Sequence, residues 1–298
     1  MGMNLLDFLR INEVEYKENL CLKKYSSVRI GGVAPIVMFP NTEEKMITAL
    51  DFMLDSQIRL KVLGRLTNVL INDERIEYVV VKTDKMRGIC KSGDKMRLYA
   101  GERLTTISKR LALDGIDVFY KLSGIPGSIG GMIKSNAGAF GIEISDIVES
   151  AAVYSLKERR KLYLDTRDMA FGYRDSIFKH EPLILLYADF RISKDNPKLI
   201  LSRMANIREH RIKTQPQNAP SIGSVFKRPI GDFASRLIDE AGLKGFSIGD
   251  AQVSEKHAGF IINKGNASFE DYKNLVEYVK HIVYEKYNVM LEEEIEII

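Results

Sequence analysis

Gly124-Ile-Pro126-Gly127-Ser128-Ile-Gly130-Gly131 is followed, four residues on, by Asn136-Ala137-Gly138-Ala-Phe-Gly141, which places six glycines within eighteen residues. Glycine lets backbone N–H groups approach an anion closely and adopt positive φ, so a stretch of this kind suits the wrapping of a diphosphate. The spacing matches neither the Rossmann GxGxxG nor the P-loop: no Gly-Lys-Ser/Thr ends it, and it does not read as opening a helix after a strand. Glycine density alone suits a purely structural turn region equally well.

Working outward, short β-rich runs precede the loop at 60–63, 69–71, 78–82 and 97–100. Between them two helices are expected. One follows Pro40, with Asn41 as N-cap, Glu44 completing a capping box, and Met46, Ile47, Leu50, Met53 and Leu54 at helical spacing. The other carries Leu104, Ile107, Leu111 and Leu113 and ends at Gly115. Beyond the loop, strands are expected at 151–156, 161–164 and 182–192, and the polar stretch 194–197 reads as a boundary. A helix over 199–211, a second Gly/Pro-rich loop over 215–231, a long helix capped by Ser268 and a closing strand over 289–298 complete the chain. Frequent returns to strand between helices point to an α+β or mixed architecture, not to regular βαβ winding.

Bulk properties narrow the function classes. With 298 residues, 45% hydrophobic and 28% charged, the chain is long enough for two or three domains with sizeable cores. The longest apolar runs, such as 78–81 and 183–186, fall far short of the roughly 20 residues of a membrane span. The N-terminal residues lack the basic and apolar regions of a secretory signal, so a cytoplasmic protein is expected. Cys21 and Cys90 have no CxxC or Cys/His companions, so neither a disulfide framework nor a metal site is expected. The net charge of +4 is scattered without a basic stripe, which suits a small anionic ligand better than nucleic acid.

Three further segments carry candidate chemistry. In Phe171-Gly-Tyr173-Arg174-Asp175-Ser176, a guanidinium held by Asp175 would be placed to clamp a carboxylate, although such a pair also suits a plain surface ion pair. Ser224, in Ser221-Ile-Gly-Ser-Val-Phe-Lys227, is a potential proton donor if its surroundings activate it. Glu292, Glu294 and Glu296 share one face of the expected last strand, usually a solvated arrangement. His257 precedes an apolar run and reads most simply as a packed residue.

Taken in order, these motifs resemble the UDP-N-acetylenolpyruvoylglucosamine reductase family in its shorter form, over most of the chain from Val28-Arg-Ile-Gly-Gly32 to Leu291-Glu-Glu-Glu294-Ile295. The resemblance implies a two-part FAD-binding region of the vanillyl-alcohol-oxidase (PCMH) type, residues 1–75 and 76–195, and a C-terminal α+β substrate domain, 196–298. It also implies FAD as cofactor, NADPH as co-substrate, a UDP-amino-sugar substrate and a place in peptidoglycan precursor synthesis. On the family's pattern, Arg174, Ser224 and Glu294 would be catalytic, with Glu292 as the fallback for Glu294. Gly64, Arg65, Thr67, Asn68, Gly124, Pro126, Gly127, Ser128, Gly130, Gly131, Asn136, Ala137 and Gly138 would hold FAD. Tyr173, Lys213, Asn218, Lys227 and His257 would contact or shape the UDP-sugar site.

The chain departs from that pattern at several points. Leu63-Gly-Arg65-Leu66-Thr67-Asn68 has Leu66 where the family's second phosphate loop has glycine, so a Cβ stands where close backbone approach and positive φ are expected. Ser26-Ser27 replace a usual Asn-Thr, Ile222 a small residue, and Ser235 and Asp250 common glycines. Arg65 either pairs with phosphate or fills its place. The leading reading is an active reductase. Its rivals are a flavin-deficient paralogue acting as a binding or regulatory partner in envelope assembly, with weak or absent FAD, and another flavin oxidase of the same fold.

Overall fold

The computed structural model describes residues 3–298, which divide into two compact units. The first comprises the chain up to Asn19 together with Pro35–Arg65 and Glu77–Arg208; the second comprises Leu20–Ala34, Leu66–Ile76 and Glu209–Ile298. The division passes inside the helix Pro197–Thr214, after Arg208.

Two sheets organise the first unit. One has the strand order Glu15–Cys21, Val33–Phe39, Val79–Lys82, Leu60–Leu63, and the last three run parallel. The crossover helix Glu43–Asp55 buries Met46, Ala49, Leu50 and Met53, whose i, i+3, i+4, i+7 spacing gives one apolar face against Met38, Val79 and Val81. Its N-cap is Thr42, whose side chain accepts the Lys45 N–H at 3.1 Å, and not Asn41 as the sequence pattern suggests. The other sheet is antiparallel, ordered Arg160–Asp165, Val148–Ser155, Leu183–Arg191, Lys95–Tyr99, Ile89–Ser92. Against it pack Leu104, Ile107 and Leu111 of the helix Leu104–Leu113, and Ile129, Met132 and Ile133 of a short helix, Ile129–Lys134. That short helix corrects the expectation that the glycine-rich stretch opens no helix: Ser128 caps it, its Oγ accepting the Gly131 N–H at 3.4 Å.

The second unit holds an antiparallel sheet ordered Ser221–Ser224, Phe260–Asn263, Ala251–Val253, Ser247–Ile248. The helix Phe269–Tyr287 lays Tyr272, Leu275, Val276, Val279 and Val283 into its core with Leu237 and Ile238 of the helix Ala234–Glu240. Ser268 and Asp271 form a reciprocal capping box at its start, and Asn288, at φ 54°, ends it in the left-handed conformation. The expected closing strand is broken: Phe226 bridges Glu293, and only Glu296–Ile297 forms a strand, parallel to Val69–Leu70.

Candidate active site

In the first unit, two loops meet. The strand Leu60–Leu63 is followed by Gly64, and a Cβ on Gly64 would lie 2.8 Å from the Ser128 Oγ, so a larger residue there would have to displace the hydroxyl that caps the short helix. Among the described residues, the backbone N–H groups of Gly64, Arg65, Gly127 and Ser128 donate to no protein acceptor. Those of Ile129 and Gly130, by contrast, are taken by the Glu102 and Ala100 carbonyls. Below Gly64 lies Lys82, 1% exposed, whose ammonium donates to the Gly64 carbonyl and stands 2.9 Å from Asp84 Oδ2 in an ion pair outside hydrogen-bonding geometry. Burial pulls the Lys82 pKa below the usual lysine value, with Asp84 opposing. Arg65 Nη1 lies 3.5 Å from Asp84 Oδ1; burial, and then the charge of Arg103, depress its pKa. An unclaimed set of N–H groups beside cations that depress one another is a site short of an anion.

The same unit holds Arg174 in a two-residue turn closed by Gly172 N–H to the Asp175 carbonyl (3.1 Å) and Asp175 N–H to the Gly172 carbonyl (3.2 Å). Arg174 sits at φ 55°, where such turns usually carry glycine or asparagine. Its guanidinium donates to the Asn136 carbonyl (3.3 Å), the Gly138 carbonyl (3.0 Å) and Glu143 Oε1 (3.2 Å), and packs 5.0 Å from the ring centroid of half-exposed Tyr173. Asp175, the expected partner, instead binds His180 at 2.9 Å, which holds its carboxyl below the ordinary range.

In the second unit, backbone pairing gathers the remaining candidates. Val225, just past the strand Ser221–Ser224, bonds to both neighbouring segments: its N–H donates to the Gly259 carbonyl (2.9 Å) and its carbonyl accepts the Glu294 N–H (2.7 Å), so Ser224 and Glu294 both adjoin Val225. Lys227 donates its N–H to the Glu292 carbonyl, and its ammonium pairs with the exposed Glu292 carboxylate at 3.2 Å. Asn68 ties the segment that follows Leu66 to the chain end, its Nδ2 donating to the Glu294 carbonyl (3.0 Å) and its carbonyl accepting the Glu296 N–H (3.0 Å). His257 Nδ1 accepts the Gly259 N–H at 3.2 Å, and burial, with the Lys244 charge, lowers its pKa, so the ring is neutral with its proton on Nε2. Lys213 and Asn218 are exposed, Lys213 pairing with Glu209 at 2.7 Å.

A domain model described as the C-terminal domain of UDP-N-acetylenolpyruvoylglucosamine reductase matches residues 215–298, and a FAD-binding domain model matches 34–157. A protein of Petrotoga mobilis named UDP-N-acetylenolpyruvoylglucosamine reductase is 43% identical over 95% of this chain and 94% of its own length. The chain belongs to the UDP-N-acetylenolpyruvoylglucosamine reductase family. A reductase of that name from Caldanaerobacter subterraneus is 40% identical over 100% of this chain and 99% of its own. The crystal structure of the Thermus caldophilus reductase superposes with a TM-score of 0.80, at 31% identity, over 95% of this chain and 98% of that one. The fold is thus the reductase family's, a PCMH-type FAD-binding region followed by a C-terminal α+β domain.

The residues present fit the reductase cofactor, FAD. The close approach at Gly64, the unclaimed N–H groups of Gly64, Arg65, Gly127 and Ser128, and the cations Lys82, Arg65 and Arg103 beside Asp84 make a cradle suited to a diphosphate. Leu66 does not stand in the way as its bulk suggests. It adopts φ 55° itself, its carbonyl accepts the Ser27 N–H at 3.2 Å, and at 2% exposure its side chain lies inside the protein instead of projecting from the loop. Arg65 faces Asp84, beside the loop. Ser27, where threonine is usual, also donates its hydroxyl to the Ser221 carbonyl at 2.7 Å, and Ile222 buries its extra bulk in the core. Lys82 and Glu143 were not among the candidates: one ends an apolar strand, the other follows the glycine loop, and neither position carries a local motif.

Proposed function

We propose that the chain is a working UDP-N-acetylenolpyruvoylglucosamine reductase, converting UDP-N-acetylenolpyruvoylglucosamine to UDP-N-acetylmuramate in peptidoglycan precursor synthesis at the expense of NADPH, a reaction of the cytoplasm. Bound FAD supplies the hydride relay between NADPH and the enolpyruvyl group. Hydride addition at the methylene carbon pushes an electron pair toward the adjacent carbon and its carboxylate, and this chain's residues have to accept that charge and supply one proton. Arg174 polarises the carboxylate through its planar fork, an interaction that strengthens as charge develops. Ser224 gives its proton to the adjacent carbon, and Glu294, one residue removed across the Val225 pairing, assists. Gly64, Arg65, Thr67, Asn68 and the Gly124–Gly138 residues hold FAD, within a binding region of residues 1–75 and 76–195. Lys213, Asn218, Lys227 and His257, within 196–298, and Tyr173 from the preceding region serve the UDP-sugar. The rival flavin-free reading drew on the bulk of Leu66, and a buried Leu66 removes that ground.

The observation that carries this reading is Arg174 itself: a non-glycine residue kept at φ 55° with its head group held by the Asn136 and Gly138 carbonyls and by Glu143. Left-handed backbone costs such a residue about 1–2 kcal/mol, and strain of this kind persists where a site needs it. Replacing Arg174 by alanine should remove more than about 2 kcal/mol of transition-state stabilisation while flavin content and melting hold. Arg174→Lys should be impaired as well, since a point charge cannot pair in a plane with a carboxylate. Wild-type turnover in a folded Arg174→Ala protein would sink the assignment.

A further inference from the structure

The carboxylate that holds Arg174 comes from outside its own motif. Glu143 lies 31 residues earlier in the chain, and its two oxygens do different work: Oε1 accepts Arg174 Nη1 at 3.2 Å and Oε2 accepts Asn136 Nδ2 at 2.8 Å. Asn136 is 1% exposed, and the same Nδ2 donates to the Gly172 carbonyl at 2.8 Å, at the base of the turn that carries Arg174. Its Oδ1 accepts the Ser145 N–H at 3.1 Å, so the amide's orientation is settled by its partners. Gly138 completes the enclosure: a Cβ there would stand 2.8 Å from Glu143 Cγ and 3.3 Å from Arg174 Nη1. Glu143 thus grips the arginine at its head directly and at its turn through Asn136. Where the Asn136 and Gly138 carbonyls are neutral acceptors, Glu143 brings a full charge to the guanidinium, and charge-assisted bonds are roughly twice as strong as neutral ones.

We propose that Glu143 is a positioning residue for Arg174: it fixes the plane and direction of the guanidinium before substrate arrives and does not itself touch substrate. The proposal rests on the reading that Arg174 polarises the substrate carboxylate. A side chain with several soft torsions in a strained turn would otherwise adopt many orientations, and the transition state would have to order it. Positioning of this kind shows in turnover more than in ground-state binding, because the developing charge gains most from a fixed donor.

Glu143→Gln, an isosteric change that removes the charge and leaves one acceptor for the two donors Arg174 and Asn136, and Glu143→Asp are compared with wild type in the FAD-loaded enzyme. Melting temperature, flavin stoichiometry, KM and kcat are measured for each. The expected result is a fall in kcat of about tenfold or more in Glu143→Gln with KM within about threefold, partial recovery in Glu143→Asp, and unchanged flavin content. A double-mutant cycle decides the route. In an Arg174→Ala background Glu143→Gln should change kcat by less than about twofold, because its effect runs through the arginine. Multiplying effects in the cycle, or wild-type kcat in folded Glu143→Gln, would overturn the proposal. If Arg174→Ala alone keeps full activity, the reading of Arg174 fails first, and the single variant reveals that separately.

Discussion

Replacing Leu66 by glycine separates the two meanings of an unusual residue in a phosphate loop. If the leucine blocked the cofactor, its removal would raise flavin affinity by tenfold or more, about 1.4 kcal/mol. The structure points elsewhere. Leu66 sits at φ 55°, which costs about 1–2 kcal/mol that glycine would recover. Its side chain is 2% exposed, and truncating a buried leucine loses about 2–5 kcal/mol through lost burial and the cavity left behind. The balance is a net destabilisation of about 0–4 kcal/mol, centred near about 2 kcal/mol. Because the side chain lies within the protein, affinity for FAD should change by less than about threefold at a temperature where both proteins are folded. Urea denaturation of the flavin-free proteins measures the first quantity, and fluorescence titration with FAD the second. A more stable Leu66→Gly protein, or one that binds FAD ten times more tightly, would refute this reasoning.

Other outcomes follow from the same geometry. Gly64→Ala should weaken FAD at least about tenfold in the same titration, since its Cβ would lie 2.8 Å from Ser128 Oγ, displacing that hydroxyl and placing a methyl group among the unclaimed N–H groups. Ser224→Ala should retain flavin reduction by NADPH yet reoxidise only very slowly with substrate in stopped flow; wild-type reoxidation would move the proton donor elsewhere. Burial holds the folded His257 pKa below the ordinary value of about 6.5, so the unfolded chain binds this proton more readily. The stability His257 contributes is therefore complete above about pH 6.5 and is lost as pH falls through that value toward the lowered one. In melting curves from pH 8 to pH 5, His257→Gln should show a smaller acid loss than wild type, and an identical loss would reassign it.

The parts of the fold visible in the sequence are those written in local chemistry. The helix Phe269–Tyr287 announces itself through the Ser268 cap and an apolar series at 3.6-residue period, and Leu104–Leu113 does the same. The strand Glu15–Cys21 is mostly exposed and polar, with no apolar alternation to read. Thr42 displaces Asn41 as the cap because either side chain suits an N-cap and only the entry angle of the chain decides. The site divides along the same line. Arg174, Ser224 and the glycine loop stand in motifs. The carboxylate on Arg174 does not, because tertiary structure brings Glu143 across 31 positions while the adjacent Asp175 turns to His180. Lys82 hides at the end of an apolar strand, where a lysine normally reaches solvent, and only the fold shows its ammonium under Gly64.

The central claim, a working reductase with its cofactor in the cradle beside Gly64, is tested most directly by one experiment on the protein as purified: its absorbance near 450 nm, followed through addition of NADPH and then of UDP-N-acetylenolpyruvoylglucosamine without oxygen. The account predicts a yellow protein with close to one FAD per chain, bleached by NADPH and restored by the substrate as UDP-N-acetylmuramate forms. A colourless protein that takes up no added FAD, or a bleached flavin that the substrate leaves unchanged, would contradict it.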